Sequence, residues 1–250
     1  RSGATPLAAR RAHICGLIDA TGQEQVYLAG HDWGAMVAWW IALTEPERLR
    51  HLAILNVPHP TVMRRHLRTD PRQMARSTYA GVFQLPRLPE ALLGAGNWNP
   101  LARSLQNGSL PGAFTDDDLD IYRRAWSQPG TMTSMLNWYR ALFRRLNDTM
   151  PVERITVPTT IIWGKKDFAL RSVMAEESEA LCDAGELVWL PDNTHWVQHE
   201  AADRSLDPVH VVLAAPRPVR RGVLADALDV LELDTGLAVQ DAVDGEVDGR

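Results

Sequence analysis

The stretch that decides the fold runs from Gln25 to Leu43 and reads QVYLAGHDWGAMVAWWIAL. Residues 25–30 form a short apolar run that ends in glycine, which is typical of a buried parallel strand. Residues 35–43 (AMVAWWIAL) are strongly apolar and favour a helix. The pentapeptide between them, GHDWG, matches an elbow of the form G-x-nucleophile-x-G, whose glycines are needed because a Cβ there would collide with the neighbouring strand or helix. The stretch therefore predicts a strand, a tight turn and a helix, with Asp32 raised above the sheet edge.

The chemistry of such an elbow depends on the residue at its centre, which here is Asp32. A carboxylate can attack a saturated carbon that carries a leaving group, forming an alkyl ester with the protein. The following helix would offer a partial positive charge, and the backbone N–H of Trp33 would be the oxyanion donor. The competing interpretation is an accidental GxDxG in a loop, which the flanking strand and helix disfavour.

The rest of the chain repeats the strand–helix–strand order of a parallel sheet, with one interruption. Further buried strands are predicted at 49–57, 159–164 and 186–191, whereas residues 61–150 contain helical patches and several prolines but no convincing strand. We therefore predict an α/β protein with a mostly parallel sheet, helices on both faces and an inserted helical cap. Its expected divisions are 1–60 (first part of the core), 61–150 (cap), 151–200 (second part of the core) and an atypical tail, 201–250.

Two further polar residues follow predicted strands in an order that agrees with Asp32 as nucleophile. Asp167 ends the run IIWGKKD, and His195 lies in DNTHW. The order nucleophile, acid and histidine resembles that of the α/β-hydrolase fold. Within this fold, the sequence is similar to the epoxide hydrolase and haloalkane dehalogenase branch, over about residues 10–200. The resemblance implies that His195 activates water to hydrolyse the Asp32 ester while Asp167 orients and stabilises the imidazole.

The cap residues separate the two activities of that branch. The segment Asn137–Arg140 (NWYR) resembles the cap segment that carries a proton-donating tyrosine in epoxide hydrolases, which makes Tyr139 the candidate donor. These enzymes usually carry a second cap tyrosine just before a Phe-Gln pair. Here Val82 precedes Phe83-Gln84 and cannot donate a proton, and Tyr79 does not match the position. The sequence thus supplies one matched donor.

A dehalogenase would instead need halide-binding N–H groups, which are commonly indoles. Trp33 and Trp138 are the candidate substrate-binding indoles, and Trp98 is a weaker one. Asn56, in the run LNVPHP, is not an acid, and that run is more similar to epoxide hydrolases. We therefore predict hydrolysis of a small hydrophobic epoxide to a vicinal diol, with water as the second substrate. Dehalogenation of a halide substrate is the alternative.

Both ends of the sequence depart from the family pattern. No His-Gly-x-Pro loop, which would supply a second oxyanion donor, occurs before Gly30, so we expect the fold to be incomplete at its N-terminus. Residues 201–250 lack aromatic residues and carry the whole net charge of −5, so we expect a disordered or out-of-frame tail. An inactive α/β hydrolase is therefore a further alternative.

Composition excludes several other classes of protein. The chain is mildly acidic without a basic stripe, so we expect no nucleic-acid partner, and no apolar run approaches the ~20 residues of a membrane span. Its two cysteines, Cys15 and Cys182, are far apart and lack the spacing of a zinc site. We expect a cytoplasmic protein without metal or organic cofactor. A homodimer is among the assemblies that the sequence leaves open.

Overall fold

The computed structural model describes residues 6–144 and 154–202, without the side chains of 6–12 and 142–144. Its centre is a four-stranded sheet in which every neighbouring pair is parallel and the spatial order follows the chain order. The strands are β1 (Val26–His31), β2 (Leu49–Leu55), β3 (Thr159–Gly164) and β4 (Gly185–Leu190). The predicted α/β class with a parallel sheet is confirmed. The predicted tail lies almost wholly outside the described residues.

The pleat of the strands explains how the sheet is covered. Alternate side chains point to opposite faces, so Ile161 and Trp163 of β3 face one side while Ile162 faces the other. The first face packs against helices α1 (Pro6–Ala20), α2 (Asp32–Thr44) and α9 (Val173–Glu179), whereas the second packs against the short α10 (Val197–Glu200). β3 lies between two strands and is buried along its whole length, as its apolar sequence TTIIWG predicts.

Between β2 and β3, the described part of the chain contains six helices, and the last three of them pack around a second apolar core. That core includes Leu105, Trp126 and Leu136, and Trp196 of the sheet domain packs against it. Helix α7 begins with a capping box, in which Thr115 and Asp118 bond each other's backbone N–H. The helices are α3 (Pro60–Thr69), α4 (Pro71–Arg76), α5 (Tyr79–Val82), α6 (Leu88–Asn107, interrupted at 95–98), α7 (Asp116–Trp126) and α8 (Thr131–Arg144).

The parallel arrangement brings the C-terminal ends of all four strands to one edge of the sheet. β1 ends directly before Asp32, β2 directly before Asn56, and β3 three residues before Asp167. His195 follows the end of β4. Ligands of open α/β sheets bind at this edge. Within the described residues, none of the helices combines the length and apolarity that a membrane span requires.

Candidate active site

The elbow at Asp32 has the strained geometry that its sequence predicts. Asp32 has a φ of +46°, a conformation that residues with a Cβ rarely adopt. A Cβ on Gly30 would lie 2.7 Å from the Cα of Ala35, so only glycine fits there. Helix α2 begins at Asp32 itself rather than at the predicted Ala35. The carboxylate therefore lies in the first helical turn, where the free N–H groups and the helix dipole favour negative charge.

Asp167 is held by four hydrogen bonds, two on each carboxylate oxygen. Its Oδ2 accepts from Nδ1 of His195 at 2.7 Å and from Nδ2 of Asn56 at 2.8 Å. Its Oδ1 accepts from the backbone N–H groups of Ala169 and Leu170, each at 2.8 Å. Burial would raise the pKa of Asp167, but the charge and hydrogen bond of His195 and the other donors hold that pKa below its usual value. Asp167 is therefore a carboxylate that can orient His195.

The loop that carries His195 is fixed by contacts to two strand ends. The backbone carbonyl of His195 accepts a hydrogen bond from Nε2 of His31 at 2.9 Å, and the two imidazole rings are 4.7 Å apart. Because a carbonyl only accepts, His31 carries its proton on Nε2, and its Nδ1 accepts from the Gln198 amide at 3.1 Å. Gly164 touches the same loop so closely that an added Cβ would lie 2.0 Å from the Thr194 carbonyl oxygen.

A cavity of about 570 Å³ lies between the sheet edge and the inserted helices. Asp32 and His195 line it from the sheet, and Tyr79 and Tyr139 line it from the helices. The remaining walls are mainly apolar, among them Met36, Val57, Leu93, Leu101, Leu105, Trp126, Met132, Met135, Leu136 and Phe168. A concave, mainly apolar site with a few converging polar groups is typical of a small-molecule binding site.

Tyr139 lies where the sequence places a proton donor, and the structure adds a second tyrosine beside it. The rings of Tyr79 and Tyr139 meet edge to face with centroids 5.7 Å apart. Burial and the nearby Asp32 charge raise the pKa of Tyr79 to about 12, and burial, Tyr79 and Asp32 raise that of Tyr139 well above its usual value. Both phenols are therefore protonated donors at neutral pH. The position before Phe83-Gln84, where the second tyrosine was expected, holds Val82. Tyr79, three residues earlier, supplies the second hydroxyl instead.

The three candidate indoles occupy different surroundings. Trp33 lines the cavity, and its buried Nε1–H makes no well-aligned hydrogen bond but lies close enough to the Tyr139 hydroxyl to act against the rise of the Tyr139 pKa. Trp138 stacks on Trp33 at 5.2 Å but is not among the residues that line the cavity. The assignment of Trp138 to substrate binding therefore stays a prediction, with a contact to Trp33 as its link to the site. Trp98 donates its Nε1–H to Ser127 at 2.7 Å.

Asn56 is the residue at this site that sequence reasoning missed. In the sequence Asn56 marks only a position that lacks an acid, whereas in the structure its amide donates a hydrogen bond to Asp167. A strand end next to the predicted acid was the feature that could have identified it, since parallel strands end at the same sheet edge. Among the described residues, no three His, Cys, Asp or Glu side chains are grouped as a metal ion would require.

Comparison with known proteins agrees with this fold and geometry. The alpha/beta hydrolase fold family model matches residues 11–202, so the chain belongs to the α/β-hydrolase family. Several of the curated relatives that it matches are named epoxide hydrolases. It is 32% identical over 198 residues to mouse epoxide hydrolase 4, covering 77% of this chain and 55% of that protein.

Two further comparisons extend this result. The chain is 40% identical over 190 residues to the AB hydrolase superfamily protein YfhM of Bacillus subtilis, covering 76% of this chain and 66% of YfhM. The crystal structure of a Bacillus megaterium epoxide hydrolase in complex with an inhibitor superposes with a TM-score of 0.73 at 26% identity, covering 82% of this chain and 75% of that one. The chain thus spans between about half and two thirds of the length of these curated relatives.

Proposed function

We propose that this protein hydrolyses epoxides to vicinal diols through an ester of Asp32. The observation that carries the proposal is that one cavity is lined by the Asp32 carboxylate, the His195 imidazole and two tyrosines with raised pKa values. These are the groups needed to open an epoxide by nucleophilic attack and then to hydrolyse the resulting ester. Relatives that are named epoxide hydrolases support the same activity.

In the first step, an oxygen of Asp32 attacks one epoxide carbon and the bond from that carbon to the epoxide oxygen breaks. The oxygen leaves as an alkoxide and takes a proton from Tyr139 or Tyr79. Both tyrosines suit this role, because their raised pKa values keep the proton in place until the alkoxide develops. The product of this step is a hydroxyalkyl ester of Asp32.

In the second step, His195 takes a proton from water, and the hydroxide attacks the carbonyl carbon of the Asp32 ester. The oxyanion would be stabilised by N–H groups at the start of α2, including that of Trp33. Asp167, which accepts from Nδ1 of His195, stabilises the imidazolium. The ester bond then breaks, His195 returns the proton to the departing diol oxygen, and Asp32 is regenerated. These steps need no metal or organic cofactor.

The cavity walls indicate the class of substrate. Most of the lining side chains beyond the four reacting groups are aliphatic, aromatic or methionine, so an apolar substituent on the epoxide would be buried favourably. We therefore propose a small hydrophobic epoxide, with water as the second substrate.

The proposal is tested by trapping the ester. His195→Gln should form the ester but hydrolyse it slowly, so that intact-protein mass rises by the mass of one epoxide. Asp32→Ala should form neither adduct nor diol, and the wild-type chain should release diol. Diol formation by Asp32→Ala would refute the mechanism, and failure of both wild type and His195→Gln to react with any epoxide would refute the function.

Dehalogenation is the second candidate function, and one observation favours it. Trp33 follows Asp32 directly and lines the cavity, and its buried Nε1–H makes no well-aligned hydrogen bond, which suits a halide-binding group. Trp126 and Trp196 also line the cavity, and their buried Nε1–H groups have no acceptor among the described residues. Trp98 instead donates to Ser127, and Trp138 is not part of the lining. Halide release from haloalkanes or haloacids without turnover of any epoxide would select this alternative.

A further inference from the structure

Asn56 connects three segments of the site through one buried amide. The residue is completely buried, and its Oδ1 accepts from the backbone N–H of Gly164 at the end of β3, at 2.9 Å. Its Nδ2 donates to Oδ2 of Asp167 at 2.8 Å and lies 3.3 Å from the carbonyl oxygen of Thr194, the residue before His195. The oxygen of the amide therefore contacts the strand, and its nitrogen contacts the acid and the histidine loop.

The chemistry of this position requires both a donor and an acceptor on one short side chain. An acid could accept from Gly164 but, when ionised, could not donate to Asp167. The backbone adds a second constraint, because Asn56 has a φ of +50°, a conformation that Asn and Asp adopt more readily than other residues with a Cβ. Asparagine thus satisfies the contacts and the backbone together.

We infer that Asn56 is a positioning residue for the hydrolysis of the Asp32 ester. Its amide donates to the same oxygen of Asp167 that accepts from Nδ1 of His195, so it fixes the direction of that oxygen and favours the ionised carboxylate. Its amide also lies against the loop that carries His195. This inference rests on the proposed function, since it assigns Asn56 to the second of the two proposed steps.

The assignment has a kinetic consequence that a general loss of stability would not have. Asp32 forms the ester without help from His195 or Asp167, so loss of the Asn56 amide should leave ester formation within about 3-fold of wild type. Ester hydrolysis needs a well-placed His195 and should slow by about 10- to 100-fold. The ester then accumulates, so kcat and KM fall together while kcat/KM is nearly unchanged.

Two variants and one matched control test the inference on the full chain. Asn56→Asp retains the shape, the tolerance of positive φ and the acceptor for Gly164, but it places a carboxyl group against Asp167. Asn56→Ala removes both contacts. Ser178→Ala is the control, because Ser178 is also fully buried and ties the same β2–α3 loop, accepting from the His59 backbone N–H at 2.8 Å. Single-turnover rates of ester formation and hydrolysis are measured by quenched mass spectrometry.

We expect both Asn56 variants to accumulate the ester with a parallel fall in kcat and KM, and Ser178→Ala to retain wild-type values per folded molecule. The proton NMR resonance of the His195 Nδ1–H should also shift in Asn56→Asp without any substrate. If wild type forms the ester but the Asn56 variants hydrolyse it as fast as Ser178→Ala does, the inference is wrong and the proposed function stands. If no ester forms in wild type or in His195→Gln, the proposed function fails, and this inference fails with it.

Discussion

Tyr79 and Tyr139 approach the cavity from different helices, and their rings meet edge to face at 5.7 Å with each hydroxyl affecting the pKa of the other. Two phenols at one site can share the stabilisation of a developing alkoxide. Phe83 also contacts the Tyr139 ring edge to face, at 5.0 Å, which helps to hold it in position. The pair therefore has the arrangement expected of two proton donors for one oxygen.

The first prediction concerns this pair. Tyr79→Phe and Tyr139→Phe should each slow ester formation by about 10-fold because one donor remains, and the double variant should slow it by about 100- to 10,000-fold. Phenylalanine retains the ring contacts, so the free energy of unfolding should change little. Stopped-flow measurement of epoxide loss gives the rate. If one single variant matched the double variant while the other kept the wild-type rate, only one phenol would be the donor.

The close contact between Gly164 and the histidine loop gives the second prediction. An added Cβ would force the backbone at Asn193 and Thr194 to move, because it would lie 2.7 and 2.0 Å from their carbonyl oxygens. Gly164→Ala should therefore displace His195 and reduce kcat by about 100-fold. Gly16→Ala is the matched control, since a Cβ there meets nothing within 4 Å, and it should retain full activity. A fully active Gly164→Ala would show that the loop is not held as described.

The third prediction concerns stability at acid pH. Burial lowers the pKa of His59 to about 4 from an ordinary value of 6.5. Below pH 6.5 the unfolded chain therefore binds a proton that the folded protein does not, and stability is lost as the pH falls toward 4. At pH 5 this residue alone should cost about 2 kcal/mol of the free energy of unfolding relative to pH 7.

Asn is the informative replacement for His59, because it does not titrate and retains an acceptor for the Thr61 backbone N–H at the start of α3. Urea unfolding of His59→Asn and wild type at pH 7 and pH 5 gives the comparison. The variant should lose about 2 kcal/mol less than wild type between the two pH values. An equal loss in both proteins would assign the acid sensitivity to other groups.

The site was predictable from sequence where its chemistry follows local geometry. Asp32, Asp167 and His195 each follow a strand end, and strand ends of a parallel sheet converge, so their grouping at one edge could be inferred from the pattern.

The other features of the site depend on tertiary packing, which the pattern of a single sequence does not predict. Tyr79 begins the four-residue helix α5, and only the packing of α5 against α8 brings its ring to Tyr139. Asn56 could be placed at the sheet edge from the sequence because it follows β2, but its hydrogen bonds to Gly164 and Asp167 depend on how the side chains pack there. The short helices before α6 have too few residues for periodicity to fix their orientation.

The Asp32 ester is tested most directly by a single turnover in ¹⁸O-labelled water, with the enzyme in excess over the epoxide. If the epoxide carbon is attacked by Asp32, the diol of the first turnover contains no ¹⁸O, and the peptide that carries Asp32 gains one ¹⁸O atom. If water attacks the epoxide directly, the label enters the diol and the Asp32 peptide stays unlabelled. We expect the first result, and the second would rule out the Asp32 ester.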